Sequence, residues 1–172
     1  GFVYGLPELN RDRIKTANKI ANPGCFATTI QMALLPLAHA QMLGAELHVS
    51  AITGSTGAGQ GLSPTTHFSW RNNNVSVYKA FTHQHLKEIG QTMKQLQNSF
   101  DGELNFIPYR GNFPRGIMAN VYLNFEGTEA EARALFKKYY EGHPFTHISE
   151  KPIDVKQVVN SNKCILHIEK HG

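Results

Sequence analysis

The chain has 172 residues, a formal net charge of +4 and a hydrophobic content of 41%, a composition typical of one globular domain with its own core. No apolar run approaches the roughly 20 residues of a membrane-spanning helix, and the first residues lack the order of a signal peptide. The 17 Lys and Arg residues are scattered, which disfavours nucleic acid and leaves a small anionic molecule as the favoured partner. We therefore expect residues 1–172 to form one cytoplasmic domain that binds neither nucleic acid nor membrane.

The first element in chain order is a helix that follows the turn Asn22-Pro23-Gly24. Apolar residues recur after this turn at helical spacing, and Gly44 is a stop signal. Cys25 would therefore open the helix. Because Pro36 lacks an N–H and its ring crowds the preceding turn, we expect the helix to be divided into two pieces there.

The middle of the chain alternates regular elements with an irregular segment. Residues 47–53 predict a strand, and residues 54–74 form a long segment rich in Gly, Ser, Thr and Asn, of a kind that is often functional. Residues 75–79 predict a short strand. Residues 85–96 predict an amphipathic helix.

The last third of the chain contains strands and one capped helix. Residues 104–108 and 117–125 predict strands on either side of a loop that contains Gly and Pro. Thr128 and the acids after it predict the start of a helix that runs to about Tyr140. Two short strands, near Ile153 and over 164–168, complete the pattern. Strands and helices in this irregular order predict an α+β fold with a sheet covered by helices.

Cys25 is the strongest candidate for chemistry, because it lies at the first turn of a helix directly after a tight bend. The unpaired N–H groups and the dipole of a helix N-terminus favour the thiolate, which is the nucleophilic form of the side chain. A buried, inert cysteine is the alternative, and it is the interpretation that we prefer for Cys164, which lies in an ordinary strand pattern. The two cysteines do not indicate a disulfide framework.

His83 and His85 are the candidate acid and base. They follow an extended run and precede the predicted helix, so both rings would project to the same side of the chain. An imidazole can accept a thiol proton and return one near neutral pH. A metal-binding pair is the second interpretation, but no third ligand stands at a recognisable spacing, so no metal is expected. A surface pair without a role is the third.

Two loops supply candidate binding groups. Arg110 and Arg115 lie in the loop 109–116, and arginine binds carboxylate or phosphate through paired hydrogen bonds, although an exposed loop with solvated charges fits the sequence equally well. The segment 54–61 follows a strand, but it has neither the Gly-Lys-Ser/Thr ending of a phosphate loop nor the dinucleotide-binding spacing. We expect it to be a flexible substrate or subunit-contact loop in which Ser55 forms a hydrogen bond with the substrate.

Five short motifs, taken together, resemble those of the N-acetyl-gamma-glutamyl-phosphate reductase family along nearly the whole chain. They are Tyr4-Gly5-Leu6-Pro7-Glu8, Ala21-Asn22-Pro23-Gly24-Cys25-Phe26-Ala27-Thr28, Gly54-Ser55-Thr56-Gly57-Ala58-Gly59, His83-Gln84-His85 and Phe113-Pro114-Arg115-Gly116-Ile117. Thr29 and Gln84 depart from the family's usual residues without removing a reactive group. The resemblance implies a mixed, largely antiparallel sheet covered by helices, as in the catalytic domain of the glyceraldehyde-3-phosphate and semialdehyde dehydrogenase type.

The resemblance also implies a reaction. Cys25 would attack the acyl phosphate of the substrate and form a thioester, which NADPH reduces to the semialdehyde in arginine biosynthesis. His85 or His83 would be the acid and base, and the resemblance does not decide between them. Arg115 would hold the substrate's carboxylate or phosphate, and Arg110 is a weaker match because many relatives have an apolar residue there. The family's sheet implies a homodimer or homotetramer.

One part of the family pattern is missing from this sequence. No glycine fingerprint of a doubly wound nucleotide-binding domain precedes Tyr4, and the final strand and helix of the family do not follow residue 172. We therefore expect a catalytic and dimerisation fragment that binds NADPH poorly and shows little or no turnover. A cofactor-independent cysteine hydrolase or acyltransferase, whose thioester water would resolve, and a non-catalytic assembly module with an unreactive Cys25 are the alternatives.

Overall fold

The computed structural model describes all 172 residues. Its α-helices are α1 (Pro7–Lys15), α2 (Cys25–His39), α3 (Phe68–Arg71), α4 (His85–Leu96) and α5 (Glu129–Tyr139). Its strands are β1 (Val3–Tyr4), β2 (Ile20–Ala21), β3 (Glu46–Thr53), β4 (Ser76–Val77), β5 (Glu103–Arg110), β6 (Ile117–Tyr122), β7 (Thr146–Ser149) and β8 (Cys164–His167). Short 3-10 turns lie at Ser55–Ala58, Pro64–Thr66 and Val155–Gln157.

The central sheet has four strands in the order β4-β5-β3-β6. Strand β3 pairs in parallel with β5 along its whole length and antiparallel with β6, and the short β4 adds antiparallel to β5. Two small sheets, β1-β2 and β7-β8, are both parallel. The mixed sheet of an α+β fold is confirmed. The resemblance implies a largely antiparallel sheet, but more residues pair in parallel than in antiparallel.

One face of the central sheet is covered by helices α2 and α4, which contact β6 and β5. Strand β3 shows the alternation expected of a sheet with two different faces, because Leu47, Val49 and Ala51 are buried while the residues between them are partly exposed. Helix α2 contributes wholly buried side chains to this core, among them Phe26 and Ile30. The opposite face of the sheet, which we refer to as the uncovered face, carries His48, Ser50 and Ile52 of β3, and these residues are only partly buried.

Helix α2 is continuous from Cys25 to His39, so the predicted break at Pro36 is wrong. Pro36 lies in the last turn and removes one backbone N–H, the group that would have donated to the carbonyl of Met32. The buried hydroxyl of Tyr140, which directly follows α5, donates a hydrogen bond to that carbonyl instead. A tertiary contact therefore replaces the lost helical hydrogen bond, and the helix continues past the proline.

Two of the predicted helices are confirmed in detail. Helix α4 has the predicted bounds, and its buried residues include Ile89 and Met93. Helix α5 begins at the predicted cap, where Thr128 accepts from the N–H of Glu131 and the Glu131 carboxylate accepts from the N–H of Thr128. No helix of the structure is both long enough and apolar enough to cross a lipid bilayer.

Among the remaining elements, one predicted strand is absent and one observed helix has no signal in the sequence. The strand predicted near Ile153 is wrong, because the strand that pairs with β8 is β7, and Asp154 instead caps a 3-10 turn. Helix α1 was not predicted at all, because none of its residues is buried and no apolar spacing marks it. The segment 54–74, predicted as irregular, contains two 3-10 turns and the short α3.

Candidate active site

Cys25 is exposed at the first position of helix α2. Gly24 precedes it as the N-cap in an extended conformation, and no side chain caps the helix. Cys164 lies on strand β8, where burial raises the pKa of its thiol to about 11. The two cysteines therefore differ in accessibility, because Cys25 is exposed and Cys164 is only partly exposed.

The imidazole of His85 lies directly against Gly24, beside the nucleophile candidate. A Cβ atom on residue 24 would collide with Nε2 of His85 and would lie 2.6 Å from its Cε1 atom. A larger residue at position 24 would therefore require the His85 ring to move. Burial lowers the pKa of His85, the carboxylate of Glu88 raises it, and Lys79 lowers it, with burial the largest effect. The Nδ1 atom of His85 is buried and has no hydrogen-bond partner.

His83 is buried in the core, unlike its neighbour. Its ring packs at about right angles against Phe26 and lies 5.5 Å from the rings of both Phe26 and Phe106. Burial, with smaller contributions from nearby cations, lowers the pKa of His83 to about 4, so it is neutral at pH 7. Nδ1 of His83 accepts a hydrogen bond from the backbone N–H of His85, and the two ring centroids are 4.7 Å apart.

The extended run predicted before these histidines is wrong. Lys79 and Phe81 both have positive φ angles, so the chain turns sharply between strand β4 and helix α4. The turn directs His83 into the core and leaves His85 partly exposed, whereas an extended segment would have placed both rings on one side.

Arg110 lies at the end of strand β5, with its guanidinium 4.4 Å from the centre of the Tyr78 ring. Its Nε atom is buried and has no hydrogen-bond partner. Tyr78 also lies 5.7 Å from His83, measured between ring centroids, and burial raises the pKa of its phenol while Arg110 lowers it. Tyr78 therefore lies between Arg110 and His83 and contacts both. The sequence analysis assigns no role to Tyr78.

Ser55 and Arg115 form a second group, because their loops are joined by backbone hydrogen bonds. The N–H groups of Gly54 and Ser55 donate to the carbonyls of Gly116 and Phe113 at 3.0 and 2.8 Å. Arg115 is exposed and lines a cavity of about 850 Å³ together with Thr28, which lies in the first turn of α2. No side-chain hydrogen bond joins this second group to Cys25 or to either histidine.

The glycine-rich segment does not form a phosphate cradle. Its N–H groups at residues 54–56 are already used by the carbonyls of residues 113–116, and a 3-10 turn at Ser55–Ala58 follows the strand in place of a long helix. The central sheet is mixed rather than doubly wound and parallel. The residues of this chain therefore do not fit a dinucleotide-binding site.

The sequence analysis does not predict a hydrogen-bond network that ends at Gly24, the residue before the nucleophile candidate. Oε1 of Glu88 accepts from the N–H of Gly24 at 3.0 Å and from the hydroxyl of Tyr4 at 2.6 Å, and Nε2 of Gln31 donates to that hydroxyl at 2.6 Å. A usable signal existed for Glu88, since it follows His85 by three residues and so shares a face of α4 with it. No group of three or more His, Cys, Asp or Glu side chains converges as metal ligands would.

The chain is similar to reductases and dehydrogenases of known name. It is 59% identical over 171 residues to N-acetyl-gamma-glutamyl-phosphate reductase of Bacteroides thetaiotaomicron and 56% identical to that of Christiangramia forsetii. Both matches cover 99% of this chain and 53% of the relative, so the chain spans about half the length of the curated relatives that it matches.

The fold is shared with solved structures of lower sequence identity. Aspartate semialdehyde dehydrogenase II from Vibrio cholerae superposes with a TM-score of 0.69 at 15% identity, covering 96% of this chain and 57% of that one. A probable aspartate-semialdehyde dehydrogenase from Pseudomonas aeruginosa gives 0.64 at 14% identity, covering 99% and 58%. The family described as semialdehyde dehydrogenase, dimerisation domain, matches residues 25–172. The chain therefore belongs to the semialdehyde dehydrogenase dimerisation-domain family.

Proposed function

We propose that this chain is the catalytic and dimerisation domain of an N-acetyl-gamma-glutamyl-phosphate reductase of arginine biosynthesis, with Cys25 as its nucleophile. The observation that carries the proposal is the contact between the His85 imidazole and Gly24, the residue that precedes an exposed cysteine at the N-terminus of a 15-residue helix. The similarity to reductases of that name supports the choice of reaction.

His85 is the acid and base, and His83 positions it. His83 is only 4% exposed and holds the backbone N–H of His85 through Nδ1, so its own ring has no access to a substrate. His85 is partly exposed, and because its pKa lies below the ordinary value it is largely neutral at pH 7 and free to accept the thiol proton.

The acylation step uses this pair alone. The Cys25 thiol gives its proton to His85, and the thiolate sulfur attacks the acyl carbon of N-acetyl-glutamyl phosphate. A carbon–sulfur bond forms, the bond from that carbon to the phosphate oxygen breaks, and inorganic phosphate leaves with the bonding electrons. The product is a thioester on Cys25, and the proton remains on His85 for a later transfer.

The arginines and Ser55 bind the anionic substrate in this proposal. The guanidinium of Arg110 lies over the ring of Tyr78, which packs against His83, and its buried Nε has no partner, so it suits the group that reacts at Cys25. Arg115 and Ser55 lie on joined loops beside the first turn of α2 and suit the distal carboxylate.

Reduction of the thioester requires a two-electron donor, and NADPH is the donor we propose from the family resemblance. No residue of this chain is assigned to it, because the glycine-rich segment is used internally. The chain corresponds to about half the length of its relatives, and we assign NADPH binding to their other half. This domain by itself would then form the thioester but not reduce it.

We place the reaction in the cytoplasm, where thiols remain reduced.

The uncovered face of the central sheet is the surface we propose for pairing with a second copy, as a homodimer or as half of a homotetramer. Ser50 lies at its centre, between Ile107 on β5 and Asn120 on β6. The family description as a dimerisation domain supports this assignment.

The first test measures the rate of iodoacetamide alkylation at Cys25 by mass spectrometry, with Cys164 as an internal control. Cys25 should react at least about ten-fold faster than Cys164 near pH 7, because thiolate content and access set the rate. A His85→Asn variant should lose most of that advantage. Equal rates at the two cysteines would contradict the assignment of the nucleophile.

A second test adds N-acetyl-glutamyl phosphate and measures the mass of the intact protein. One acyl group should appear on Cys25 and none on a Cys25→Ser variant, with one phosphate released per acyl group formed. Phosphate release that continues over many turnovers without a reductant would instead identify a hydrolase.

A further inference from the structure

Glu88 contacts the segment that carries the nucleophile but not the cysteine itself. A single oxygen, Oε1, accepts from the N–H of Gly24 at 3.0 Å and from the hydroxyl of Tyr4 at 2.6 Å. Gly24 is the N-cap of α2, so this hydrogen bond holds the residue at which the chain turns into the helix. The orientation of Gly24 therefore sets the direction in which the side chain of Cys25 points.

The carboxylate of Glu88 is itself held in place. The Tyr4 hydroxyl that donates to it accepts a hydrogen bond from Nε2 of Gln31 at 2.6 Å, and Gln31 is fully buried in α2. Tyr4 lies on strand β1, whose partner β2 ends one residue before the Asn22-Pro23-Gly24 turn. Strand β1 and helices α2 and α4 are thus linked by hydrogen bonds that lead to one carboxylate oxygen, and that oxygen accepts from the N–H of the turn before Cys25.

The same carboxylate faces His85, three residues before it on α4. Glu88 raises the pKa of His85, in opposition to burial and to Lys79. The titratable and charged groups around this ring come from α2, α4 and the segment before α4. They are Lys79, His83 and Glu88, with Tyr4 and Arg110 one residue further out and Cys25 next to Gly24 along the chain. Glu88 is the only acid among them.

We propose that Glu88 is a positioning residue for acylation at Cys25, which both fixes the Gly24 turn through its hydrogen bonds and supplies the single negative charge that faces His85. It touches neither the sulfur nor the substrate in the reaction proposed above. This inference rests on the proposed function, because positioning has consequences for rate only if Cys25 reacts.

Two variants separate the two parts of the role. Glu88→Gln keeps an oxygen that can accept from Gly24 but removes the charge, whereas Tyr4→Phe keeps the charge but removes the hydroxyl that holds it. Glu141→Gln is the matched control, since Glu141 is an exposed acid with no side-chain hydrogen bond. Thermal unfolding of each variant confirms that it is folded before it is compared.

The first readout is the NMR titration of the His85 imidazole. In Glu88→Gln the titration of His85 should move to lower pH, because the charge that raises its pKa is gone, while Tyr4→Phe and Glu141→Gln should titrate like the original chain. A merely structural role for Glu88 would not shift this curve, and an unchanged curve in Glu88→Gln would overturn the charge part of the inference.

The second readout is the rate of Cys25 acylation by N-acetyl-glutamyl phosphate, together with amide hydrogen exchange at Gly24. Tyr4→Phe should slow acylation at least about five-fold and speed exchange at Gly24, since small displacements of a reacting group are costly. Wild-type rates of both in Tyr4→Phe would overturn the positioning part. Because the His85 titration can be measured whether or not Cys25 reacts with substrate, an unreactive Cys25 in the original chain would refute the proposed function while leaving the charge relation measurable.

Discussion

The surroundings of His83 make it a structural residue, although histidine is a residue type that often takes part in reactions. The aromatic rings of Phe26 and Phe106 around it exclude water, and the cost of burying a charge keeps its imidazole neutral. Its Nδ1 atom accepts from the backbone of His85, so it defines where helix α4 begins. In the proposed function, the different roles of these two histidines are therefore a consequence of burial.

This burial predicts a loss of stability in acid. Unfolded His83 binds a proton near its ordinary pKa of 6.5, whereas the folded protein binds it only near pH 4, so the unfolded state holds more protons in between and stability falls as pH falls through that window. Between about pH 7.5 and about pH 5, His83 should account for a fall of about 2 kcal/mol in the free energy of unfolding.

Urea unfolding at the two pH values tests this expectation. A His83→Asn variant, whose side-chain oxygen can replace Nδ1 as acceptor, should lose less stability on acidification than the original chain. His147→Asn, at an exposed position, is the control and should show the original fall. An equal pH dependence in all three proteins would contradict the assignment.

Helix α2 is the element that carries the candidate site, and its length depends on a residue far away in sequence. Pro36 leaves the carbonyl of Met32 without a helical donor, and the hydroxyl of Tyr140 takes that place from the other side of the core. The nucleophile at one end of α2 and the proline near the other are thus parts of one rigid element packed against α5.

A double-mutant cycle tests this substitution of one donor for another. Tyr140→Phe should lower the free energy of unfolding by about 1–2 kcal/mol, because a buried carbonyl loses its partner. In a Pro36→Ala background the same change should cost clearly less, since the N–H of residue 36 can then donate to Met32. Equal costs in the two backgrounds, measured by urea unfolding, would show that the two residues are independent.

At the scale of the whole molecule, the two faces of the central sheet differ in what covers them. Helices α2 and α4 cover one face, and the other presents Ser50, Ile107, Asn120 and the stacked pair His48 and Tyr122, whose ring planes differ by 11°. Both faces belong to the same strands, so the sheet links the candidate site on one side to the proposed pairing surface on the other.

We predict that a charge on the uncovered face weakens self-association. Asn120→Arg should shift the chain towards monomer in sedimentation velocity, because two arginines would approach each other across a symmetric interface. Asn120 is exposed, so the substitution should leave the folded monomer intact. Asn98→Arg makes the same chemical change at an exposed position after α4 and should sediment like the original chain. Identical behaviour of the two variants would place the interface elsewhere.

Much of this protein follows from local sequence rules. The alternation in 47–53, the helical spacing of 85–96 and the cap at Thr128 each depend on residues that are neighbours along the chain, and the structure confirms all three. The position of Cys25 at the start of a helix follows in the same way from the Asn22-Pro23-Gly24 turn. A marked periodicity or a turn signal is present in the sequence itself, whatever packs on it later.

Other features depend on contacts that no local pattern contains. At Pro36 the missing helical donor is replaced by the hydroxyl of Tyr140, and the chain reaches the buried His83 through positive φ angles at Lys79 and Phe81. Helix α1 lacks an apolar face, and strand β7 is defined by its pairing with β8. The sequence by itself determined which segments are regular and which cysteine opens a helix. Only the tertiary structure decided which histidine contacts Gly24, the residue before that cysteine, and which acid accepts from the Gly24 N–H, because those choices depend on contacts between segments distant along the chain.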